Sequence, residues 1–181
     1  MNRADVRLSK FLARILRHAP ESVGLALDRD GWGDVGQVVE AARGRRMASG
    51  REDVERVVAT NNKRRFELSS DGLRMRAVQG HSTAMVDRRF DAVLPPELLF
   101  HGTAASSLPA IMATGLRPGA RHYVHLSPDR TTALSVGGRH GSPVVLAVAA
   151  GRMAEDGHHF HRAENGVWLT KIVPSQYLHL L

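Results

Sequence analysis

Hydrophobic residues near the start of the chain repeat at three- and four-residue spacing, which predicts a helix over about residues 5–18 with one buried face. Arg17 and His18 end this face, and Pro20 then biases the chain away from helix. Such cations either cap the helix in solvent or bind an anion. Because a helix C-terminus repels anions, binding would need positive charge from elsewhere in the chain. The apolar positions are Leu8, Phe11, Leu12, Ile15 and Leu16.

The rest of the first half predicts two more helices and a β-hairpin. Asp34 is a suitable N-cap for a helix through VGQVVEAARG that ends at Gly44, and REDVERVVAT predicts a third helix. RFELSSDGLRMRAV then predicts two strands joined at Asp71-Gly72. Three helices closed by a hairpin indicate a winged-helix arrangement, a topology shared by nucleic-acid binders and many protein-interaction domains.

A different pattern follows a segment without clear periodicity that ends in Pro95-Pro96. Short strands alternate with small helices, which is typical of an α+β module on a curved sheet. We therefore expect a lobe over 1–79, a linker over 80–96 and a second lobe over 97–181. The predicted strands are LLFHGTA running into a glycine turn, HYVHLS, SPVVLAVAA, and two near 167–170 and 177–180. SSLPAIMATGL is predicted as a helix ending at Gly115, and RTTALSVGGRHG as a helix and turn.

Charge is divided unevenly between the two halves. Residues 1–90 carry 18 Lys+Arg against 12 Asp+Glu, a net of +6, whereas residues 91–181 carry 7 against 6, a net of +1, and eight of the ten histidines. This division indicates two modules with different ligands, the first of them polyanionic. The chain has no cysteine, no apolar run long enough to cross a bilayer and no apolar N-terminal leader, so we expect a cytoplasmic protein without membrane contact.

Most common catalytic motifs are missing from the sequence. There is no phosphate-binding glycine loop, no Gly-x-Ser-x-Gly and no cysteine nucleophile. GHHFH at 157–161 lacks a matching carboxylate–histidine pattern, so we expect no metal. The short motifs that remain are HGT at 101–103, HLS at 125–127 and KRRF at 63–66. Each also has an ordinary structural explanation, as a core histidine or a solvated basic edge.

In combination these motifs closely resemble the NAD-dependent RNA 2′-phosphotransferases, in the family's order and over nearly the whole chain. The matching segments are LSKFLARILRHAPESVGL, GW, NNKRRFEL, MRAVQGHS, LFHGT, GLRPGARHYVHLS, VGGRHGSPVVLAV and NGVWLTKIVPSQYL. The resemblance implies a winged-helix RNA lobe joined to an ADP-ribosyltransferase-like NAD lobe. It also implies a monomer that takes RNA bearing a 2′-phosphate and consumes NAD, without a metal.

The resemblance further implies roles for particular residues. Phe100 departs from the family, which commonly has Tyr there, and His122-Tyr123 replaces a polar-His pair. Arg64 stands beside Arg65, and the adjoining Phe66 favours Arg65 as the family's arginine. The implied catalytic residues are Arg17, His18, Arg65 and Arg121; the RNA phosphate would contact Arg17, His18, Lys63 and Arg65; and NAD would contact His101, Gly102, Thr103, His125, Leu126, Ser127 and Val167.

The expected chemistry suits cations better than carboxylates. A phosphate monoester has a second pKa of about 6, so it is largely dianionic at neutral pH and attacks without a general base. Arginines hold phosphate oxygens in fixed geometry, and Arg65 and Arg121 would supply the charge that Arg17 and His18 need. Two alternatives remain open: an ADP-ribosyltransferase that modifies terminal phosphates of nucleic acids, and a winged-helix regulator that only senses NAD.

Overall fold

The computed structural model describes residues 2–139 and 141–181, and the chain divides into two compact units, Met1–Arg89 and Phe90–Leu181. In the described residues the protein is a mixed α/β fold with six helices and three small antiparallel sheets. The predicted α+β class is confirmed at this level. The unit boundary lies inside the segment 80–96: Val86 belongs to the first hydrophobic core, whereas Ala92 bridges to His161 in the second unit.

Three helices form most of the first unit: α1 (Arg3–Arg17), α2 (Val35–Gly44) and α3 (Arg51–Ala59). The predicted first helix is confirmed, although it begins at Arg3, where the Asn2 side chain accepts a 2.8 Å hydrogen bond from the Asp5 backbone N–H. Asp34 caps α2 as predicted, accepting from the Gln37 N–H at 2.8 Å. The helices meet in one core that includes Leu8, Leu12, Ile15, Leu16, Val35, Val38, Val54, Val57, Phe66 and Met75.

A three-stranded antiparallel sheet completes this unit, with β1 (Gly33–Asp34), β2 (Phe66–Leu68) and β3 (Arg74–Ala77) in the order β1-β3-β2. The predicted hairpin is confirmed as β2–β3. Its connection contains Gly72 with φ +69°, a left-handed conformation that glycine adopts without steric cost. The sequence pattern does not predict β1 as a strand, because two residues are too few to show alternation.

The second unit contains two three-stranded antiparallel sheets. One has the order β4-β6-β9, from β4 (Leu98–Ala104), β6 (Pro143–Ala149) and β9 (Leu178–Leu180); the other has the order β5-β8-β7, from β5 (Val124–Leu126), β7 (Phe160–Arg162) and β8 (Trp168–Thr170). Backbone hydrogen bonds between Phe100 and Ser127, of 2.9 and 2.8 Å, join β4 to β5. The helices are α4 (Leu108–Thr114), α5 (Arg130–Gly137) and α6 (Ala150–Glu155).

The predicted strand LLFHGTA is confirmed as β4, but one expectation for it is wrong and one helix of this unit was missed. The HGT motif does not form a glycine turn, because Gly102 lies inside β4 and pairs with Val145. A Cβ at Gly102 would overlap the Ala133 carbonyl group of α5, so this glycine lets the helix backbone lie directly on the strand. The helix α6 was not predicted at all. His140, in the predicted turn after α5, lies outside the described residues.

No helix in the described part of the chain is long and apolar enough to cross a membrane.

Candidate active site

The end of α1 carries the predicted Arg17–His18 pair. Arg17 is the last residue of the helix and His18 its C-cap. The Arg17 carbonyl accepts hydrogen bonds from the backbone N–H groups of Ser82, at 2.9 Å, and Thr83, at 3.3 Å. His18 Nδ1 lies 2.9 Å from Ser82 Oγ. These amide and hydroxyl contacts fix the pair and place N–H groups against the carbonyl end of the helix.

Gly80 brings this segment close to the Arg17 side chain. It has φ +91°, and a Cβ there would lie 3.6 Å from Arg17 Nη1 and 3.7 Å from Cζ. The side chain of half-buried Arg17 therefore lies against Gly80, and its carbonyl group lies against Ser82 and Thr83. Sequence analysis assigned no role to Gly80 or Ser82, although both stand in the segment MRAVQGHS that carried part of the resemblance.

Arg65 is positioned by a buried amide. Its Nη1 donates to Asn61 Oδ1 at 3.3 Å, and the same oxygen accepts from the Lys63 backbone N–H at 3.2 Å. Asn61 is 3% exposed, and its Nδ2 donates to Ser9 Oγ of α1 at 3.3 Å. A single side chain thus connects α1 with the loop that carries Lys63 and Arg65. Nothing in the sequence pattern singled out Asn61 for this role.

Arg64 and Arg65 have different environments. Arg64 is exposed and has a left-handed backbone with φ +41°, whereas Arg65 is half-buried and its carbonyl accepts from the Val78 N–H at 2.9 Å. Residues 78–83 therefore contact Arg65 at one end and Arg17 at the other. The structure brings these two predicted residues and His18 onto one connecting segment of the first unit, with Lys63 exposed beside them.

In the second unit, His101 of β4 reaches the backbone of β5. Its Nδ1 lies 3.1 Å from the His125 carbonyl oxygen, which can only accept, so Nδ1 carries the proton. Burial lowers the pKa of His101; the hydrogen bond to His125 opposes this shift, and nearby Arg121 adds to it. His101 is therefore a neutral imidazole at pH 7 whose Nε2 offers a lone pair to a ligand donor.

Arg121 lies in the loop before β5 and donates from Nη1 to His125 Nδ1 over a long 3.4 Å hydrogen bond. Displacement of water from its guanidinium lowers the pKa of Arg121, and the positive charge of Arg139 lowers it further. The group still stays protonated, since an arginine guanidinium does not lose its proton in proteins. Within residues 2–139 and 141–181, Arg121 has no ion pair with a carboxylate, so it provides an electropositive site for an anion. Arg139 had not been predicted here.

The remaining predicted NAD residues differ in what they can offer. Thr103, Ser127 and Val167 are half-buried. Leu126 is 1% exposed and belongs to the second core, so only its backbone could meet a ligand. Gly102 faces α5, as described above, which gives it a packing role whether or not a ligand approaches nearby.

The histidines of GHHFH make separate contacts. The ring of His158 lies edge-on to Tyr177 with centroids 5.6 Å apart, and His161 Nδ1 lies 3.1 Å from the Asp91 carbonyl oxygen. His159 is exposed. Among the described residues, no three His, Cys, Asp or Glu side chains are grouped in a way that could hold a metal ion.

Taken separately, each unit presents arginines and imidazoles fixed by neutral hydrogen-bond partners, as expected of a protein that binds anionic ligands. The family model described as RNA 2′-phosphotransferase, Tpt1/KptA family, matches residues 3–172. A probable RNA 2′-phosphotransferase of Burkholderia lata is 54% identical over 172 residues, 95% of this chain and 89% of that protein.

Two further probable RNA 2′-phosphotransferases show comparable similarity. That of Agrobacterium fabrum is 55% identical over 170 residues, 94% of this chain and 91% of the relative. That of Streptomyces coelicolor is 53% identical over 173 residues, 96% and 93% of the two chains. The chain belongs to the RNA 2′-phosphotransferase, Tpt1/KptA, family, a family of transferase enzymes. The resemblance inferred from the sequence is thereby confirmed.

Proposed function

We propose that this chain removes an internal 2′-phosphate from RNA by transferring it to NAD. The products are RNA with a 2′-hydroxyl group, nicotinamide and ADP-ribose 1″,2″-cyclic phosphate. Beyond family membership, the proposal is carried by one observation: Arg121, fixed by His125 and repelled by Arg139, has no carboxylate partner among the described residues. An arginine in that state is suited to an anionic group that arrives with the substrates.

In the first step, an oxygen of the 2′-phosphate attacks C1″ of the nicotinamide ribose, and the C1″–N bond breaks to release neutral nicotinamide. The phosphate is already a nucleophile, so the enzyme must bind it, orient it and partly neutralise its charge. We assign this task to Arg17, His18 and Arg65, with Lys63 beside them. The hydrogen bonds between Ser82 and His18 and between Arg65 and Asn61 support the assignment, because they restrict the side chains before substrate binds.

In the second step, the ribose 2″-hydroxyl attacks phosphorus, the bond from phosphorus to the RNA 2′-oxygen breaks, and that oxygen takes up the proton that the 2″-hydroxyl loses. Negative charge accumulates on the phosphoryl oxygens in the transition state. A fixed, desolvated cation stabilises such charge without reorganising during the reaction. Arg121 is held by its hydrogen bond to His125 and is partly shielded from water, so we assign the second step to it.

We assign NAD to the second unit, with His101, Thr103, His125, Ser127 and Val167 in contact and Gly102 and Leu126 contributing backbone only. Neutral His101 supports this assignment, because its Nε2 can accept a hydrogen bond from a ribose hydroxyl without adding positive charge beside a cationic nicotinamide ring. We likewise propose that the first unit is a winged-helix RNA lobe and the second an ADP-ribosyltransferase-like lobe. Three helices with a three-stranded sheet, and two joined three-stranded sheets, support these assignments.

The deciding experiment incubates the protein with NAD and a labelled oligonucleotide that carries one internal 2′-phosphate, and identifies every product. Two matched oligonucleotides serve as controls, one without phosphate and one with only a terminal phosphate. We expect nicotinamide release and cyclic phosphate from the first substrate alone. A stable ADP-ribosyl group on the terminal phosphate would favour the alternative transferase. Equal NAD hydrolysis with and without RNA would refute the mechanism.

A further inference from the structure

The exposed side of α1 carries a continuous row of cations. Arg3, Arg7, Lys10, Arg14 and Arg17 follow one another at four- and three-residue spacing, so at 100° per residue they fall within an arc of about 80°. From Arg3 to Arg17 the row is about 21 Å long at 1.5 Å per residue. The first four are exposed and Arg17 is half-buried. We call Arg3, Arg7, Lys10 and Arg14 the α1 stripe.

The members of the stripe have no carboxylate partner in the part of the chain that the structure describes, although they and their neighbour Arg17 lie along one helix. Among the described residues, no member of the stripe forms an ion pair, and Arg7 contacts only the Met47 sulfur, at 3.9 Å. Asp5 is the one acidic residue of α1, and it points to the opposite side, where it binds Arg56 at 3.0 Å. Elsewhere in the unit, cations paired with carboxylates are common: Arg43, Arg51, Arg56, Arg74 and Arg76.

An unpaired row of like charges works against the helix that carries it. Cations at three- and four-residue spacing repel one another and destabilise a helix, so the α1 stripe weakens α1 unless a counter-charge approaches. A polyanion with regularly spaced charges supplies that counter-charge along the whole row. A membrane surface is a poorer match, because the apolar face of α1 is fully used: Leu8, Leu12 and Ile15 are at most 1% exposed.

We infer that the α1 stripe binds the sugar–phosphate backbone of the RNA strand that carries the 2′-phosphate, an inference that rests on the proposed function for the role of Arg17. The row leads directly to Arg17, so a strand lying along the stripe presents a phosphate at the proposed reaction centre. At about 21 Å, the row accompanies several nucleotides. The stripe makes no base contacts by this account, and it therefore adds affinity without sequence preference.

The test compares two triple variants that remove equal charge from the same unit. Arg7→Gln/Lys10→Gln/Arg14→Gln interrupts the stripe with a residue of similar helix propensity. Arg29→Gln/Arg43→Gln/Arg45→Gln removes three exposed cations that lie off α1. Binding of a labelled 12-nucleotide RNA is measured by fluorescence anisotropy over a salt series. Turnover is measured with that RNA and with a three-nucleotide RNA, each carrying one 2′-phosphate.

For the stripe variant we expect affinity for the longer RNA to fall about 10- to 100-fold at low salt, and its log–log salt slope to fall by about 2, at roughly 0.7 per lost contact. The KM for the longer RNA should rise while kcat, and turnover of the short RNA, stay unchanged. Equal effects of the two triple variants would overturn the inference, as would unchanged binding. Because anisotropy needs no catalysis, it tests the stripe even if the wild type leaves the 2′-phosphate intact, a result that would refute only the proposed function.

Discussion

Replacing Gly102 with alanine tests whether this residue is required by packing or by a ligand. In a β-strand, alanine is ordinarily better than glycine by about 0.5–1 kcal/mol. Here a Cβ would overlap the Ala133 carbonyl oxygen, lie 2.5 Å from its carbon and lie 3.0 Å from the Gly137 nitrogen. All three atoms belong to backbone, so no side-chain rotation can relieve the overlap. The helix α5 would have to move.

The size of the effect follows from the displacement required. Carbon atoms pack favourably at about 3.5–4.0 Å, so α5 must retreat from β4 by at least about 1 Å, and a gap of that size forfeits up to about half of each dispersion contact. Gly137 of α5 also lies close to β4, since a Cβ added to it would lie 2.8 Å from the Thr103 carbonyl oxygen. We expect the second unit to lose about 3 kcal/mol or more of its free energy of unfolding, at or above the usual range for overpacking.

A tryptophan reporter isolates this unit. The chain has two tryptophans, Trp32 in the first unit and Trp168, 6% exposed, in the second, so urea titration in a Trp32→Phe background follows Trp168 alone. Gly138→Ala is the matched control: its Cβ would lie 3.6 Å from the nearest atom, Leu134 O, and we expect a gain of up to about 1 kcal/mol. If Gly102→Ala lowers the free energy of unfolding by less than about 1 kcal/mol and yet abolishes NAD consumption, packing is not the reason for this glycine.

Three further predictions concern single side chains. Burial lowers the pKa of His101, so below about pH 6.5 the unfolded chain binds more protons than the folded chain. The stability that comes from neutral His101 is complete above that pH and is lost as the pH falls towards the lowered pKa. In urea titrations, His101→Gln should therefore lose less free energy of unfolding on acidification than the wild type. Arg56→Met leaves the buried Asp5 carboxylate without its guanidinium partner and should lower the free energy of unfolding of the first unit by more than Arg43→Met does, measured through Trp32 fluorescence. Arg121→Ala should slow the second chemical step by about 100- to 1,000-fold, so that RNA joined to ADP-ribose accumulates and shifts on a gel.

Each of these has an outcome that contradicts it. Identical pH dependence of stability in wild type and His101→Gln would show that the imidazole is not held neutral by the fold. Arg43→Met is the control for Arg56→Met, since the Arg43–Glu40 pair is exposed and should matter by less than about 0.5 kcal/mol; equal effects would discount the burial of Asp5. An inactive Arg121→Ala that forms no adduct would place Arg121 in the first step.

The sequence pattern was sufficient to predict those elements that depend on residues close to one another in the chain. The apolar face of α1, the Asp34 cap and the Asp71-Gly72 connection each act within a few residues, and each prediction is confirmed. The helix α6 was missed because it has only six residues and includes Gly151, a poor helix former that lies against Glu97. The glycine turn expected within HGT was wrong because Gly102 serves a tertiary contact with α5, which leaves no mark on neighbouring residues.

In the candidate site, too, short motifs were found from the sequence whereas long-range contacts were not. Motifs drew attention to Arg17, His18, Arg65 and Arg121, whose roles remain predictions. Contacts between distant parts of the chain hold some of these residues: Ser82 is 64 residues from His18, and Asn61, which binds Arg65, is itself bound to Ser9, 52 residues away. Pattern within one sequence cannot reveal such pairings, since neither serine nor asparagine is unusual at those positions.

The contact between Arg17 and residues 82–83 also has a consequence for synthesis on the ribosome. The first helix leaves the exit tunnel early, yet the amides that meet its last carbonyl are encoded 65 and 66 residues later. A nascent chain that has folded α1, α2 and α3 but has not yet released Ser82 and Thr83 lacks the groups that fix His18. The contacts that fix Arg17 and His18 can therefore form only when nearly the whole first unit has emerged from the ribosome.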